Sequence, residues 1–78
     1  MPTVLRREGF RVFFFSDEGW EPPHVHVERE DNQAKFWIDP VRLQDSGGFG
    51  RSEINRIQRL VEENRELFLR EWNEFFDD

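Results

Sequence analysis

The segment Pro22-Pro23-His24-Val25-His26-Val27 constrains the fold most strongly, because it joins a proline pair to a strict alternation of residue types. Side chains alternate between the two faces of a β-strand, so both histidines share one face with Glu28 while both valines occupy the other. Proline fixes φ and lacks a backbone N–H, which places the pair at the start of the strand rather than within it. The pattern predicts a strand with one apolar face for the core and one face that carries reactive groups.

Two β-hairpins are predicted, one before this strand and one that contains it. In the first, Thr3-Val4-Leu5 and residues 10–15 flank the turn Arg7-Glu8-Gly9, where glycine can adopt a positive φ. In the second, a turn centred on Asp31-Asn32 sets the register. That register predicts the pairs Val25–Ile38 and Val27–Phe36 on the apolar face, and His24–Asp39, His26–Trp37 and Glu28–Lys35 on the other.

One amphipathic helix of about twenty-five residues is predicted for the C-terminal third of the chain. Apolar residues recur at helical spacing from Ile54 to Phe76, and charged residues occupy the opposite side. Gly50 or Ser52 is expected to cap the first turn, where Glu53 interacts favourably with the helix dipole. Most of this helix should pack on the sheet through its apolar stripe.

The predicted fold class is α+β: a small antiparallel β-sheet of two hairpins, about four strands, with one long C-terminal amphipathic helix on one face. Asp39-Pro40 is expected to interrupt the last strand, with Val41-Arg42-Leu43 as a short extended piece after it. No linker or internal repeat divides residues 1–78, which we interpret as a single domain. The core is predicted to join Val25, Val27, Phe36 and Ile38 to Ile54, Ile57, Val61 and Phe68.

Length and charge narrow the functional classes. A chain of 78 residues buries only about 60% of the surface that its unfolded form exposes, so a partner or a homodimer would add stability. The absence of cysteine excludes disulfides and thiolate zinc sites. A net charge of −6 argues against sequence-independent nucleic-acid binding. No stretch approaches the roughly 20 apolar residues of a membrane span, and no secretory signal is visible, so we expect a cytoplasmic protein without membrane contact.

The two histidines could chelate a metal ion, but an open catalytic site needs three protein ligands and a closed site four. Glu28 and Asp39 are the candidate third ligands. Lys35 lies opposite Glu28 in the predicted register, so it competes for that carboxylate and repels a cation. Asp39 precedes Pro40, where capping the turn occupies its side chain. We therefore expect no metal ion and no other cofactor.

A metal-free catalytic site is a second interpretation of the same face. Histidine titrates near neutral pH, so His24 or His26 could act as a general acid or base. Asp39 would orient His24, while Lys35 or Arg11 would stabilise negative charge on a phosphate. These groups together are typical of a histidine-dependent, metal-free ribonuclease.

The interpretation without catalysis treats the histidine-bearing face as an interaction surface, with His26 stacked on Trp37. Aromatic and basic residues on an open sheet face are typical of a surface that binds a protein partner. The same combination can bind single-stranded RNA, although the negative net charge disfavours this option. Besides His26, the residues predicted to take part in binding are Arg11, Pro23, Glu28 and Trp37.

Several motifs in combination resemble one small prokaryotic family, catalogued as domain of unknown function four-one-six-zero. The matching pieces are Met1-Pro2-Thr3-Val4-Leu5-Arg6, Phe13-Phe14-Phe15-Ser16, Pro22-Pro23-His24-Val25-His26-Val27, Ala34-Lys35-Phe36-Trp37-Ile38-Asp39-Pro40-Val41-Arg42-Leu43, Gly48-Phe49 and the terminal helix through Trp72. The chain departs from the family at Gly50, where a hydroxyl cap is usual.

The resemblance implies a function in a pair. Members of that family are associated with toxin–antitoxin-like gene pairs, encoded beside another small domain of unknown function. This implies a small cognate protein partner from a neighbouring gene, and it leaves RNA open as a target. The leading hypothesis is therefore an interaction module of such a pair, using the sheet face of His24, His26 and Trp37. The alternatives are the ribonuclease and, third, a metal-binding protein.

Overall fold

Five consecutive strands pair in the order of the sequence, and two helices pack against one face of the resulting antiparallel sheet. The computed structural model describes residues 3–76. The strands are β1 (Thr3–Arg7), β2 (Phe10–Phe13), β3 (His24–Arg29), β4 (Asn32–Ile38) and β5 (Val41–Asp45), and the helices are α1 (Arg51–Glu63) and α2 (Arg65–Phe76). The predicted α+β class and antiparallel sheet are confirmed, with a fifth strand and a second helix. Within residues 3–76, no helix is long and apolar enough to span a membrane.

The first hairpin forms, but β2 ends at Phe13 where the sequence predicted a strand through residue 15. β1 pairs antiparallel with β2, and the turn between them consists of Glu8 and Gly9, both of which have a positive φ. β2 also pairs with β3, so it lies inside the sheet. Its phenylalanines Phe10 and Phe13 are both buried, as expected for a strand that is covered on each side.

The second hairpin is shifted by two residues from the predicted register. Its turn consists of Glu30 and Asp31, and Glu30 adopts a φ of 55°. A shift of two keeps every side chain on its predicted face, so the hydrophobic pattern fits both registers equally well. The predicted pairs Val25–Ile38, Val27–Phe36, His24–Asp39, His26–Trp37 and Glu28–Lys35 are therefore wrong. The observed pairs are His24–Trp37, Val25–Phe36, His26–Lys35, Val27–Ala34, Glu28–Gln33 and Arg29–Asn32.

The chain continues past Asp39-Pro40 as a full fifth strand rather than as a short extended piece. β5 pairs antiparallel with β4, beginning with Val41 opposite Ile38. Proline is tolerated because it lies in the turn, where its missing N–H interrupts no ladder hydrogen bond. Arg65 of α2 holds this turn: its Nε donates to the carbonyl of Ile38 at 2.8 Å and its Nη2 to the carboxylate of Asp39 at 2.6 Å.

The hydrophobic core lies between the sheet and the helices, and it confirms the predicted packing. Every residue predicted for the core is at most 8% exposed and belongs to one continuous cluster. From the sheet these residues are Val25, Val27, Phe36 and Ile38, and from the helices Ile54, Ile57, Val61 and Phe68. The other face of the sheet, which bears both histidines, is covered by different parts of the chain.

Asn64 separates the two helices where one long helix was predicted. Its backbone (φ −115°, ψ 17°) leaves the helical range, and its N–H donates to the carbonyls of Leu60 and Val61 at 3.2 Å. Its side-chain Nδ2 donates to the same Leu60 carbonyl at 2.9 Å. The carbonyl of Asn64 then accepts the first hydrogen bond of α2, from Phe68 at 3.0 Å. Asparagine is common at helix ends because its short side-chain amide forms hydrogen bonds to backbone groups in place of the helical ones.

Gly50, one of the two predicted caps, is the N-cap residue directly before α1. Its carbonyl accepts a hydrogen bond from the Ile54 N–H at 2.9 Å, and its own N–H donates to Glu53 at 3.4 Å. Arg29 of β3 also donates to Glu53, at 2.7 Å, and this bond lowers the pKa of that carboxyl. The first turn of α1 therefore carries a negative charge near its N-terminus, where the helix dipole stabilises it.

Candidate functional site

The loop between β2 and β3, residues 14–23, folds over the second face of the sheet. Two successive turns shape it: the Glu18 N–H donates to the carbonyl of Phe15 at 3.2 Å, and the Glu21 N–H donates to the carbonyl of Glu18 at 3.1 Å. Phe14 anchors the loop, because its fully packed ring lies 5.2 Å from the ring of Trp72 on α2. Glu18 thus closes one turn and opens the next, which fixes its position above the sheet.

Glu18, His24 and His26 meet beneath this loop, and we call these three residues the histidine–carboxylate cluster. Oε1 of Glu18 lies 2.7 Å from Nε2 of His24 and 2.9 Å from Nε2 of His26. The other ring nitrogen of His24, Nδ1, donates to the carbonyl of Pro22 at 2.9 Å, because a carbonyl can only accept. His24 is fully buried and His26 is 7% exposed, whereas the Glu18 side chain remains 20% exposed.

Aromatic side chains enclose both imidazoles, which differs from the open histidine face expected from the sequence. The predicted stacking of His26 on Trp37 is wrong, because the two-residue shift in register places Trp37 beside His24. His26 instead stacks on Phe13, with an interplanar angle of 24°. The ring of His26 lies beside those of Phe13 and Phe15, and the ring of His24 lies beside those of Trp37 and Trp72. The ring centroids in these four pairs are 4.7 to 5.6 Å apart.

Burial and hydrogen bonding act in opposite directions on the charges of the cluster. Burial lowers the pKa of His26 below its ordinary value, although the hydrogen bond to Glu18 opposes this change. Burial alone would raise the pKa of Glu18, but the hydrogen bonds to His24 and His26 outweigh it, so the pKa of that carboxyl is lowered. The environment therefore favours a neutral His26 and a charged Glu18.

Of the four predicted catalytic residues, the structure brings only the two histidines together. Lys35 lies opposite His26 in the ladder, but its Nζ donates to Oε1 of Glu21 at 2.7 Å. Asp39 lies in the β4–β5 turn, where it bonds to Arg65 instead of orienting His24. Neither Lys35 nor Asp39 contributes an atom to the histidine–carboxylate cluster.

The predicted binding residues lie around the cluster and are engaged within the chain. Arg11 donates from Nε to Glu28, and its guanidinium lies 4.1 Å from the centre of the Phe13 ring. Trp37 is partly buried, edge-on to His24. The carbonyl of Pro23 accepts a hydrogen bond from the last residue of β4 at 3.2 Å, so Pro23 extends the β3–β4 ladder.

Glu18 and Trp72 complete the site, and neither was among the predicted site residues. The loop offers three carboxylates within five residues, Asp17, Glu18 and Glu21, and no periodicity indicates which one turns inward. Trp72 was predicted only as part of an apolar helix stripe, which does not show that it reaches past the core to a histidine. The one sequence signal that could have indicated Glu18 is a carboxylate shortly before Pro22-Pro23-His24, and Asp17 and Glu21 share it.

The turn position of Asp39 leads to a stability prediction. Asp39→Asn is expected to lower the free energy of unfolding by at most about 1 kcal/mol, because the ion pair with Arg65 is exposed and weakened by solvent. Denaturant unfolding followed by circular dichroism measures this loss. Arg65→Ala should cost more, since it also removes the hydrogen bond to Ile38. A larger loss for Asp39→Asn than for Arg65→Ala would contradict this interpretation.

A five-stranded antiparallel meander, with two helices on one face and a buried histidine–carboxylate cluster on the other, defines a small α+β domain. Its sequence matches a family model over residues 9–73, a span that includes every member of the cluster and Trp72. The chain belongs to that family, described as Domain of unknown function (DUF4160), which confirms the resemblance noted in the sequence. No curated protein and no solved structure matches the chain.

Proposed function

We propose that the protein is a cytoplasmic protein-binding module, one member of a toxin–antitoxin-like pair. The observation that carries this proposal is the exposure of Trp20, which is 82% exposed within the loop between β2 and β3. Tryptophan is the residue type most enriched among the energetic hot spots of protein interfaces. Leaving so large an apolar side chain in water has a cost that a partner surface would remove.

We define an aromatic patch by Trp20, Phe75 and Phe76, because Trp20 directly follows Gly19, which lies against Phe76. The backbone of Gly19 lies so close to the Phe76 ring that an added Cβ would sit 2.4 Å from it. Phe75, which is 47% exposed, contacts Phe76 at a ring separation of 5.0 Å. The loop and α2 are therefore packed together at Gly19, so the backbone that carries Trp20 is held in place before a partner binds.

The burial of both histidines favours a protein-binding function over the metal-free ribonuclease. A general acid or base must lie within hydrogen-bonding distance of its substrate. His24 is 0% exposed and His26 is 7% exposed, under a cover of four aromatic rings. An RNA phosphodiester has no path to either ring in this conformation. The interaction surface proposed here accordingly lies beside the histidine face and not on it.

The charge around the aromatic patch indicates the chemistry of the partner. Residues 62–78 contain seven acidic and two basic side chains, and the exposed carboxylates of Asp17 and Glu74 lie near Trp20 and Phe75 in the sequence. A complementary surface would present an apolar pocket for the indole, with Lys or Arg at its rim. The product of the neighbouring gene is the expected partner, which is what membership of a gene pair implies.

The test is co-expression with the product of the neighbouring gene, followed by titration calorimetry. We expect a complex whose affinity falls as salt concentration rises, because charged rims are screened. Trp20→Ala should weaken it by at least about 30-fold, the loss that corresponds to a hot spot of 2 kcal/mol. Because Trp20 is exposed, the variant should retain its unfolding midpoint.

Leu43→Ala is the matched control, since Leu43 is also a large exposed apolar residue, but on the edge strand β5. Its affinity should stay within about threefold of the parent, as for a residue outside the hot spot. Equal losses for both variants, or a wild-type chain that only self-associates, would contradict the proposed surface. If expression arrests growth and His26→Ala relieves the arrest while the protein still folds, the result supports the ribonuclease alternative instead.

A further inference from the structure

We infer that Glu18, His24 and His26 form a three-ligand site for a divalent transition-metal ion. Each residue offers one ligand atom, and these three atoms all lie within 4.8 Å of one another. Two imidazole nitrogens and one carboxylate oxygen are a ligand set typical of zinc sites that keep a coordination position open. This inference does not rest on the proposed binding function, because it concerns a separate, buried part of the molecule.

In a neutral His24, Nε2 is the ring nitrogen that can bind an ion. The bond from Nδ1 of His24 to the carbonyl of Pro22 uses the single ring proton of a neutral imidazole. Nε2 of His24 then presents a lone pair to a carboxylate oxygen only 2.7 Å away, and two acceptors repel each other. A cation between these atoms accepts all three lone pairs.

The surroundings of the cluster are those of a metal ligand. Metal-bound histidines usually donate their second ring N–H to a backbone carbonyl or a carboxylate, as His24 does to Pro22. Lys35 lies across the ladder from His26, but its charge is paired with Glu21 at 2.7 Å. Glu18, Glu21 and Lys35 together carry a charge of −1, which favours a divalent cation.

The dimensions of the cluster fit an ion of the size of Zn²⁺. In a tetrahedral site, metal–nitrogen and metal–oxygen bonds of about 2.0 to 2.2 Å place neighbouring ligand atoms about 3.3 to 3.6 Å apart. The two observed separations from Glu18 are 2.7 and 2.9 Å, so these ligand pairs need to open by about 0.4 to 0.9 Å to hold the ion. Glu18, which is 20% exposed, provides the side from which an ion and a water ligand can enter. The earlier expectation of no metal rested on Glu28 and Asp39 as third ligands, whereas Glu18 now fills that position.

The first test uses the untagged full-length chain after chelator treatment and dialysis. Titration with ZnCl₂ should show one equivalent bound, and Zn²⁺ at 100 times its Kd should raise the unfolding midpoint by about 10 to 20 °C. Co²⁺ should broaden the NMR signals of Glu18, His24 and His26 before those of any acidic residue on α2. Absence of saturable binding, or broadening centred elsewhere, would overturn the inference. Neither result affects the Trp20 test, which is performed with and without chelator.

The second test compares two loop variants of the same chemistry. Glu18→Gln keeps the size and hydrogen-bonding capacity of the side chain but removes its charge, so Zn²⁺ affinity should fall at least tenfold, a loss seen even for second-sphere groups. Asp17→Asn is the control, because Asp17 is an exposed carboxylate of the same loop that is not among the three cluster residues. Its Zn²⁺ affinity should stay within about threefold of the parent. Equal affinities for Glu18→Gln and the parent would show adventitious binding to the histidines alone.

Discussion

Phe36→Ala is expected to lower the free energy of unfolding by about 3 to 5 kcal/mol, the usual cost of removing a buried phenylalanine and leaving a cavity. Phe36 is 0% exposed at the centre of β4 and belongs to the cluster that joins the sheet to both helices. A domain of this length has a total stability of only about 4 to 12 kcal/mol. The variant should therefore lose between about a quarter and all of the stability of the domain, a loss that denaturant titration followed by circular dichroism measures.

Leu43→Ala provides the comparison, because Leu43 is the cross-strand partner of Phe36 on β5 but is 43% exposed. It removes a similar apolar group from the same ladder without opening an internal cavity, so its cost should stay below about 1.5 kcal/mol. Similar losses for the two variants would mean that the helices do not pack on β4 as described.

The strands of this fold could be predicted from the sequence because alternation is a local property. Val25 and Val27 alternate with two histidines, and that pattern assigns the faces of β3 without any knowledge of its neighbours. The register depends on the turn instead. Placing the turn at Asp31-Asn32 rather than Glu30-Asp31 leaves the faces unchanged, so only the backbone geometry of the turn distinguishes the two.

Only part of the candidate site could be predicted from the sequence, because alternation is local and contacts between elements are not. His24 and His26 share a strand face by local geometry, whereas Glu18 reaches them through a loop whose path depends on contacts with α2. The break between the helices at Asn64 similarly follows from a capping bond to Leu60 that helical periodicity does not report. Alternating and periodic patterns thus identified the elements, while the contacts between elements required the structure.

Gly47→Ala is the second substitution expected to have a large effect, a loss of at least about 3 kcal/mol in the free energy of unfolding. Gly47 has a φ of 59°, and a Cβ there would lie 1.7 Å from the carbonyl oxygen of Gln33. The N–H of Gln33 also donates to the Gly47 carbonyl at 3.2 Å, so the loop after β5 is hydrogen-bonded to the start of β4. Relief of the clash requires the two backbones to separate, which breaks this bond and displaces Phe49 from the core.

Gly9→Ala is the comparison that measures the cost of a positive φ without the steric clash expected for Gly47→Ala. Gly9 also has a positive φ, 82°, but an added Cβ would meet only the flexible side chain of Arg29, at 3.4 Å. Its cost should be the conformational penalty alone, about 1 to 2 kcal/mol. Chemical unfolding of both variants at one pH and temperature gives the comparison. A Gly47→Ala loss no larger than that of Gly9→Ala would show that the loop moves away from β4 freely, and that the contact between Gly47 and Gln33 does not hold Phe49 against Phe10.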